Sequence, residues 1–241
     1  MVLAMAPVTN ARDARVTGEL RQWHKITLTI DGPSARETDT DPNPFLDYRM
    51  DVTFTHESGA PCYRVPGYFA ADGQAAETRA TSGNQWRAHF APDKAGRWNY
   101  SVAFRRGRRI AIDETIAGEP VEGCDGAQGS FDVSATDKTG RDFRARGRLD
   151  YVGERYLRFA GTGEYFLKAG ADAPENLLGY ADFDGTRANR STPGQRPNEA
   201  ATPVALKTWG PHVRDWREGD PSWQGGKGKG LIGALNYLAS T

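Results

Sequence analysis

The strongest constraint on the fold is an alternation of apolar and polar residues that recurs between about residue 17 and residue 135. A period of two is typical of β-strands with one buried face, because successive side chains point to opposite sides of a sheet. The pattern therefore predicts six or seven short strands. The clearest runs are KITLTIDG (25–32), YRMDVTFTHESG (48–59), CYRVPGYFA (62–70), QWRAHFAPDKAGRWNYSVAF (85–104) and GSFDVSA (129–135).

Turn residues separate these runs every 8–15 residues, and the chain holds 28 glycines and 14 prolines. Within 85–104, Pro92, Asp93 and Gly96 supply turn chemistry, so this stretch is predicted to be a β-hairpin. Half-apolar sheets must bury their faces on one another, which favours an antiparallel β-sandwich. The tryptophans alternate with apolar neighbours, which favours core packing over a sugar-stacking surface.

Charge gives no reason to expect nucleic acid or an anionic membrane as a partner. Lysine plus arginine and aspartate plus glutamate each number 31. The basic run FRRGRRIAI (104–112) is expected to be a solvated hairpin tip. No segment approaches the roughly 18 apolar residues of a membrane span. Cys62 and Cys124 could form a disulfide or remain unpaired, and neither has a C-x-x-C partner.

The residue pattern of the sequence changes after residue 140. GRLDYVGERYLRFAG (147–161) predicts a small hairpin that turns at Gly153 and Glu154. YFLKAGADAPENLLGYADFDGT (165–186) is predicted to begin as a buried strand and to end in an acidic loop, and 187–203 is expected to be a long loop. The domain prediction is a flexible lead-in (1–16), a β-sandwich (17–135), a linker with a hairpin (136–164) and a second domain (165–241).

Gly228, Gly230 and Gly233 spell G-x-G-x-x-G ahead of an apolar run. A dinucleotide site needs a strand before the glycines and an acidic residue about 20 positions after them, and this sequence offers neither. The glycines are instead expected to allow tight bends and close approach to a neighbouring element, followed by a helix over 231–240. Its apolar positions have little to cover them, so we expect the chain to stop after the first βα unit of a larger barrel.

Several motifs carry a resemblance to a known family: NPFLDYRMDVTF, VPGYFAADG, FAPDKAGRWNY and GSFDV. Together they resemble an Ig-like N-terminal domain of unknown function that precedes glycoside-hydrolase-type barrels in bacteria. Some relatives carry the labels collagen-binding or apiosidase-like. The resemblance implies a mainly β protein, in which an Ig-like antiparallel β-sandwich is followed by a hairpin linker and an incomplete start of a (β/α)8 barrel. Residues 166–170 would then be the first barrel strand.

The resemblance implies a secreted, periplasmic or cell-surface protein that acts on a polysaccharide or oligosaccharide. Glycoside hydrolysis needs two carboxyl groups, which in related barrels follow the fourth and seventh strands. Neither strand is present, so no catalytic residue is assigned and the barrel remainder is an expected partner. Asp172, Glu175, Asn176 and Trp223 are the candidate substrate-binding residues. As a solvated acidic loop, the stretch from Asp172 onwards needs no function.

The alternative function is a carbohydrate- or protein-binding β-sandwich module of an adhesion protein. It would expose aromatic rings such as Tyr63, Tyr68 or Trp86, whereas buried rings would favour a packing platform. No cofactor is expected. No metal site is expected either, because the four histidines lack ligand spacing. The run DTDPNP (39–44) has proline at the position where a calcium loop needs glycine.

Overall fold

The computed structural model describes residues 14–168, 179–186 and 206–240. The chain divides into two compact units. Unit 1 comprises Met1–Ala75 and Arg79–Leu167, and unit 2 comprises Ala76–Thr78 and Lys168–Thr241. The described residues are mainly β, with several antiparallel sheets and few helices, so the prediction of a mainly β protein is confirmed.

The described residues form twelve strands, and most of these are short. In chain order they are β1 (Arg15–Gly18), β2 (Ile26–Arg36), β3 (Tyr48–His56), β4 (Cys62–Pro66), β5 (Tyr68–Phe69), β6 (Ser82–Phe90), β7 (Gly96–Arg106), β8 (Glu119–Pro120), β9 (Gln128–Val133), β10 (Leu149–Asp150), β11 (Leu157–Phe159) and β12 (Tyr165–Phe166). The described helices are α1 (Ala75–Thr78), α2 (Phe143–Arg146), a 3-10 helix (Gly210–Asp215) and α3 (Lys229–Ser240).

Two larger sheets organise unit 1. The first has the order β1-β2-β6-β5, and the second has the order β4-β3-β7-β8 with β9 also paired to β7. β8 and β9 pair with successive parts of β7, because β9 covers Gly96 to Ser101 and β8 covers Arg105 and Arg106. β1 begins at Arg15, inside the segment that was expected to be a flexible lead-in.

The apolar faces of the two sheets meet in one core. The rings of Phe54 on β3 and Phe90 on β6 stack with centroids 4.4 Å apart, and Trp86 lies 4.9 Å from Phe104 on β7. Trp86 and Trp98 expose 2% and 0% of their surface. The prediction that these tryptophans pack in the core is therefore confirmed.

The predicted hairpin over 85–104 is wrong. β6 pairs with β2 and β5 in one sheet, whereas β7 pairs with β3, β8 and β9 in the other. The connection crosses the core, so Phe90 and Trp98 meet edge to face at 5.0 Å instead of side by side. The reason is burial: two half-apolar strands in opposite sheets cover each other, and neighbouring strands in one sheet do not.

A third, three-stranded sheet is formed by β10, β11 and β12, and we call it the linker sheet. The predicted hairpin over 147–161 is confirmed, since Leu149 pairs with Phe159 and Asp150 with Arg158. The prediction of a buried strand from residue 165 is wrong for the described residues. Tyr165 and Leu167 are 48% and 66% exposed, because β12 is two residues long and pairs only with β11, in antiparallel register.

In unit 2, α3 confirms the helix predicted over 231–240. Leu235 and Leu238 are exposed, as expected for a helix with little to cover its apolar positions. The helix instead packs through Gly233, where a Cβ atom would lie 1.9 Å from the carbonyl oxygen of His212 in the 3-10 helix. The predicted use of these glycines for close approach is thus confirmed.

Cys62 and Cys124 are not joined by a disulfide. Cys62 is exposed on β4, and Cys124 is buried with its sulfur 3.8 Å from the carbonyl oxygen of Asp31. The described helices are all too short or too polar to cross a bilayer.

Candidate functional site

Of the four residues predicted to bind substrate, Trp223 belongs to the described part of the chain, and Asp172, Glu175 and Asn176 lie outside it. Trp223 is half-buried in unit 2. Its ring lies parallel to that of Phe183, with centroids 5.8 Å apart, and its Nε1 donates to the carbonyl oxygen of Asp182 at 3.4 Å. Gly228 packs against the same indole, so close that a Cβ atom there would overlap the ring. Trp223 is therefore held firmly, with only part of its surface available to a ligand.

The start of α3 is occupied by side chains of this chain. The Asp182 carboxylate accepts from the amide of Gly228 at 2.8 Å and from the Tyr180 hydroxyl at 2.7 Å. Burial, together with the hydrogen bond to Asp182, raises the pKa of Tyr180, and the amides of Leu231 and Gly230 bond its oxygen and oppose that rise. Amides at a helix start are where a phosphate would bind. Here they have internal partners, so the G-x-G-x-x-G sequence serves packing.

Polar groups surround the exposed side of the Trp223 cluster. Lys227 Nζ donates to the Gln224 side chain at 2.8 Å and lies 3.7 Å from the Asp184 carboxylate. A shallow pocket of about 340 Å³ is lined by Phe183, Asp184, Trp223 and Gln224, together with Ala76. An aromatic surface beside amide, carboxylate and ammonium groups can hold a hydroxylated small molecule. The Asp182 carboxylate is already hydrogen-bonded at the start of α3.

α2 and the linker sheet with its turns carry six of the exposed large apolar side chains of unit 1. Strands of two or three residues cannot bury a core of their own. Phe159 is buried against Phe143 and Phe166. In this region the side chains exposed at 39% or more are Phe143 in α2 and, in the linker sheet and its flanking segments, Tyr151, Tyr156, Leu157, Tyr165 and Leu167. Such a concentration is typical of a surface that packs against another protein surface.

Charged and aromatic contacts fix the linker sheet to the two larger sheets. The Arg148 guanidinium lies 5.4 Å from the centroid of the Tyr63 ring and donates to Asp93 at 3.3 Å. The Tyr63 hydroxyl also donates to Asp93. Hydrogen bonding to Tyr63 and Asp150 raises the pKa of Arg148, although partial burial opposes this. Gly147 closely approaches the Trp23 ring, where a Cβ atom would lie 2.9 Å from the indole. The linker sheet is thus held on the body of unit 1.

The aromatic rings that would signal a sugar-binding module are mostly inside. Trp86 is buried, and Tyr63 is partly buried against Phe90 and Trp98. Tyr68 is 44% exposed, and its hydroxyl lies 2.8 Å from the His89 ring. One exposed ring is not a flat aromatic strip, so these three positions favour a packing platform.

Sequence reasoning missed a pocket of about 620 Å³ where the DTDPNP run meets the basic run. Asp47 ties the two segments together, because its carboxylate accepts from the amides of Asn43 and Arg109 at 2.8 Å each. These two hydrogen bonds lower the pKa of Asp47, and the bond from the Arg109 amide has the larger effect. Guanidinium groups at the rim could hold an anionic group. The lining residues are Thr40, Asp41, Pro42, Asn43, Leu46, Asp47, Arg106, Gly107, Arg108 and Arg109.

The fold and these surfaces define a mainly antiparallel β protein with a two-sheet body and a small exposed sheet. Residues 19–105 match a family described as a domain of unknown function (DUF5060), which covers both larger sheets in part. None of the curated proteins compared matches the chain. Among solved structures, the chain is similar to one titled as a "putative glycoside hydrolase" from Bacteroides vulgatus ATCC 8482. That similarity has 21% identity and a TM-score of 0.40, and it covers 69% of this chain and 27% of that chain.

Proposed function

We propose that this chain is the N-terminal accessory part of a secreted or cell-surface carbohydrate-active protein, an Ig-like β-sandwich followed by the beginning of a (β/α)8 barrel. In this proposal unit 1 is a packing platform for the barrel, and the chain itself has no complete catalytic carboxylate pair. Polysaccharide or oligosaccharide is the substrate class of the whole protein, as the family resemblance implies.

One observation carries the platform role: the distribution of apolar side chains in unit 1. Most aromatic residues of the two larger sheets point inward, Tyr68 being an exposed exception, whereas α2 and the linker sheet with its turns leave six large apolar side chains exposed. An accessory module that packs against a neighbouring domain needs such a surface, and a sugar-binding module needs exposed rings on its larger sheets. The linker sheet also lies at the end of unit 1 in sequence, next to the segment that begins the second domain.

Affinity electrophoresis of the tag-free chain in gels that contain soluble polysaccharides, combined with a reducing-end assay, tests this function. The expected result is neither retardation nor hydrolysis. Retardation that Tyr68→Ala abolishes would assign carbohydrate binding to unit 1 and contradict the platform role. Retardation that Trp223→Ala abolishes would place a sugar subsite in unit 2 and leave the platform role intact. Release of reducing ends would contradict the absence of a catalytic pair. Tyr151→Ser, just after β10, is the control variant for both substitutions.

A further inference from the structure

We propose that Glu19, His24 and Asp137 form a binding site for one first-row divalent transition metal, with Zn²⁺ as the representative ion. The proposal runs against the expectation of no metal site. Glu19 follows β1, His24 precedes β2, and Asp137 follows β9. Their ligand atoms all lie within 4.8 Å of one another.

His24 supplies the first argument, since its ring is only 2% exposed. Its Nδ1 lies 2.9 Å from the carbonyl oxygen of Gln22. A carbonyl can only accept, so Nδ1 carries a proton, and a neutral ring held in this way presents the lone pair of Nε2. Buried Nε2 makes no hydrogen bond with the described residues. A backbone bond at one ring nitrogen is how proteins orient a metal-binding histidine.

The separations between the ligand atoms supply the second argument. His24 Nε2 lies 3.3 Å from Glu19 Oε2 and 3.6 Å from Asp137 Oδ1. Nitrogen and oxygen ligands at about 2.1 Å from a tetrahedral Zn²⁺ stand about 3.4 Å apart. The two observed distances fall on either side of that value. Despite these short distances neither contact is a hydrogen bond, and Nε2 is left without a hydrogen-bond partner among the described residues.

Backbone pairing holds the ligand segments together without a metal. The amide of Gln22 donates to the carbonyl of Ser134 at 2.8 Å, and the amide of Ser134 donates to the carbonyl of Leu20 at 3.0 Å. The ligands are therefore already close, so binding an ion orders little additional chain. Two carboxylates and a neutral imidazole also balance the charge of a divalent ion, and the imidazole favours zinc-like ions over calcium or magnesium.

Two cations compete for the same carboxylates. Lys138 Nζ lies 3.2 Å from Asp137 Oδ1 and 3.9 Å from Glu19 Oε2, and Arg21 Nε lies 3.7 Å from Asp137 Oδ2. Both side chains are partly exposed and can turn into solvent. A metal must displace the Lys138 ammonium, so removing that group should strengthen metal binding. If the cluster were only an ion-pair network around a protonated His24, removing Lys138 would create no metal affinity.

The experiment titrates Co²⁺ into tag-free, chelator-treated protein and follows visible d–d absorption, with Zn²⁺ as competitor and melting temperature as a second readout. We expect one Co²⁺ per chain, displacement by Zn²⁺, and a rise in melting temperature with Zn²⁺ but not with Ca²⁺. Glu19→Gln and Asp137→Asn should each weaken binding at least about tenfold. Both side chains are about half exposed, so these variants are expected to fold.

Lys138→Met should bind Co²⁺ more tightly than the wild type. Asp132→Asn is the matched control, since Asp132 is an exposed aspartate on β9 that pairs with Arg97. It should leave metal binding unchanged. Absence of Co²⁺ absorption in the wild type would overturn the proposal. So would stabilisation by Ca²⁺ in place of Zn²⁺, or binding that survives both Glu19→Gln and Asp137→Asn.

Discussion

Asp182 accepts a hydrogen bond from the amide of Gly228 at 2.8 Å, one residue before α3 begins. A carboxylate at this position satisfies an amide that the helix leaves without a partner and interacts favourably with the helix dipole. The glycine at 228 is required for two reasons. Its φ is +87°, and the Trp223 ring leaves no room for a side chain. The G-x-G-x-x-G sequence thus produces a helix start that is closed by this chain's own residues.

Asp182→Ala should lower the free energy of unfolding of unit 2 by about 1–2 kcal/mol, because it removes the partner of both Gly228 and the Tyr180 hydroxyl. The measurement is urea unfolding followed by helical circular dichroism. Glu218→Ala, an exposed acidic residue of the same unit, is the control and should change stability by less than about 0.5 kcal/mol. Equal effects of the two substitutions would show that the contact contributes nothing.

Gly233→Ala should destabilise unit 2 by about 1–3 kcal/mol, because the new Cβ would lie 1.9 Å from the His212 carbonyl oxygen. The sign is diagnostic, since helix propensity alone would make alanine more stable than glycine by about 1 kcal/mol. Thermal unfolding of this variant can be compared with Gly210→Ala. At Gly210 a Cβ atom meets nothing closer than 3.7 Å, so that change should be nearly neutral. A Gly233→Ala protein as stable as the wild type would mean that α3 and the 3-10 helix do not pack as described.

Asp47 should make the stability of unit 1 fall in acid. The amides of Arg109 and Asn43 lower its folded pKa below the unfolded value of about 3.9. The unfolded state then binds more protons at low pH, so the contribution is complete above about pH 4 and is lost as the pH falls through the folded pKa. Urea unfolding at several pH values should show that Asp47→Asn flattens this acid-side slope. Asp41→Asn, an exposed neighbour in the same pocket, should leave the slope unchanged. If Asp47→Asn keeps the wild-type slope, the loss of stability in acid comes from other carboxylates.

The alternation of apolar residues predicted the longer strands of the two larger sheets but not β1 or β8, because burial of one face acts on each long strand separately. It did not predict which strands pair. β6 and β7 look like a hairpin locally, yet they lie in opposite sheets because Phe90 and Trp98 are buried best across the core. The strand expected from residue 165 failed for a related reason. A short aromatic run has the same pattern whether it is buried or left exposed at the edge of a sheet.

The helix at 231–240 and the packing role of its glycines could be predicted, since helical spacing and glycine are local signals. The cluster of Glu19, His24 and Asp137 could not be predicted. Asp137 lies more than a hundred positions after the other two residues, and only the tertiary fold brings the three together. The pocket beside Asp47 was missed for the same reason. The sequence shows two separate solvated loops, and only the fold brings them together into one surface. Trp223 was predicted as a substrate contact because tryptophan rings can stack on sugars, and that role stays a prediction. Its contacts with Phe183 and Gly228 were not predictable from the sequence.

The central claim is that the linker sheet packs against a barrel domain of the same protein. Hydrogen-exchange mass spectrometry tests it by comparing this chain with one extended by the barrel that the proposal places after Thr241. We predict slower exchange in the extended chain at amides of 149–167, where Tyr151, Tyr165 and Leu167 are now exposed. Amides of β2 and β7, already inside the two-sheet core, should not change. Identical exchange at 149–167 in both chains would contradict the claim.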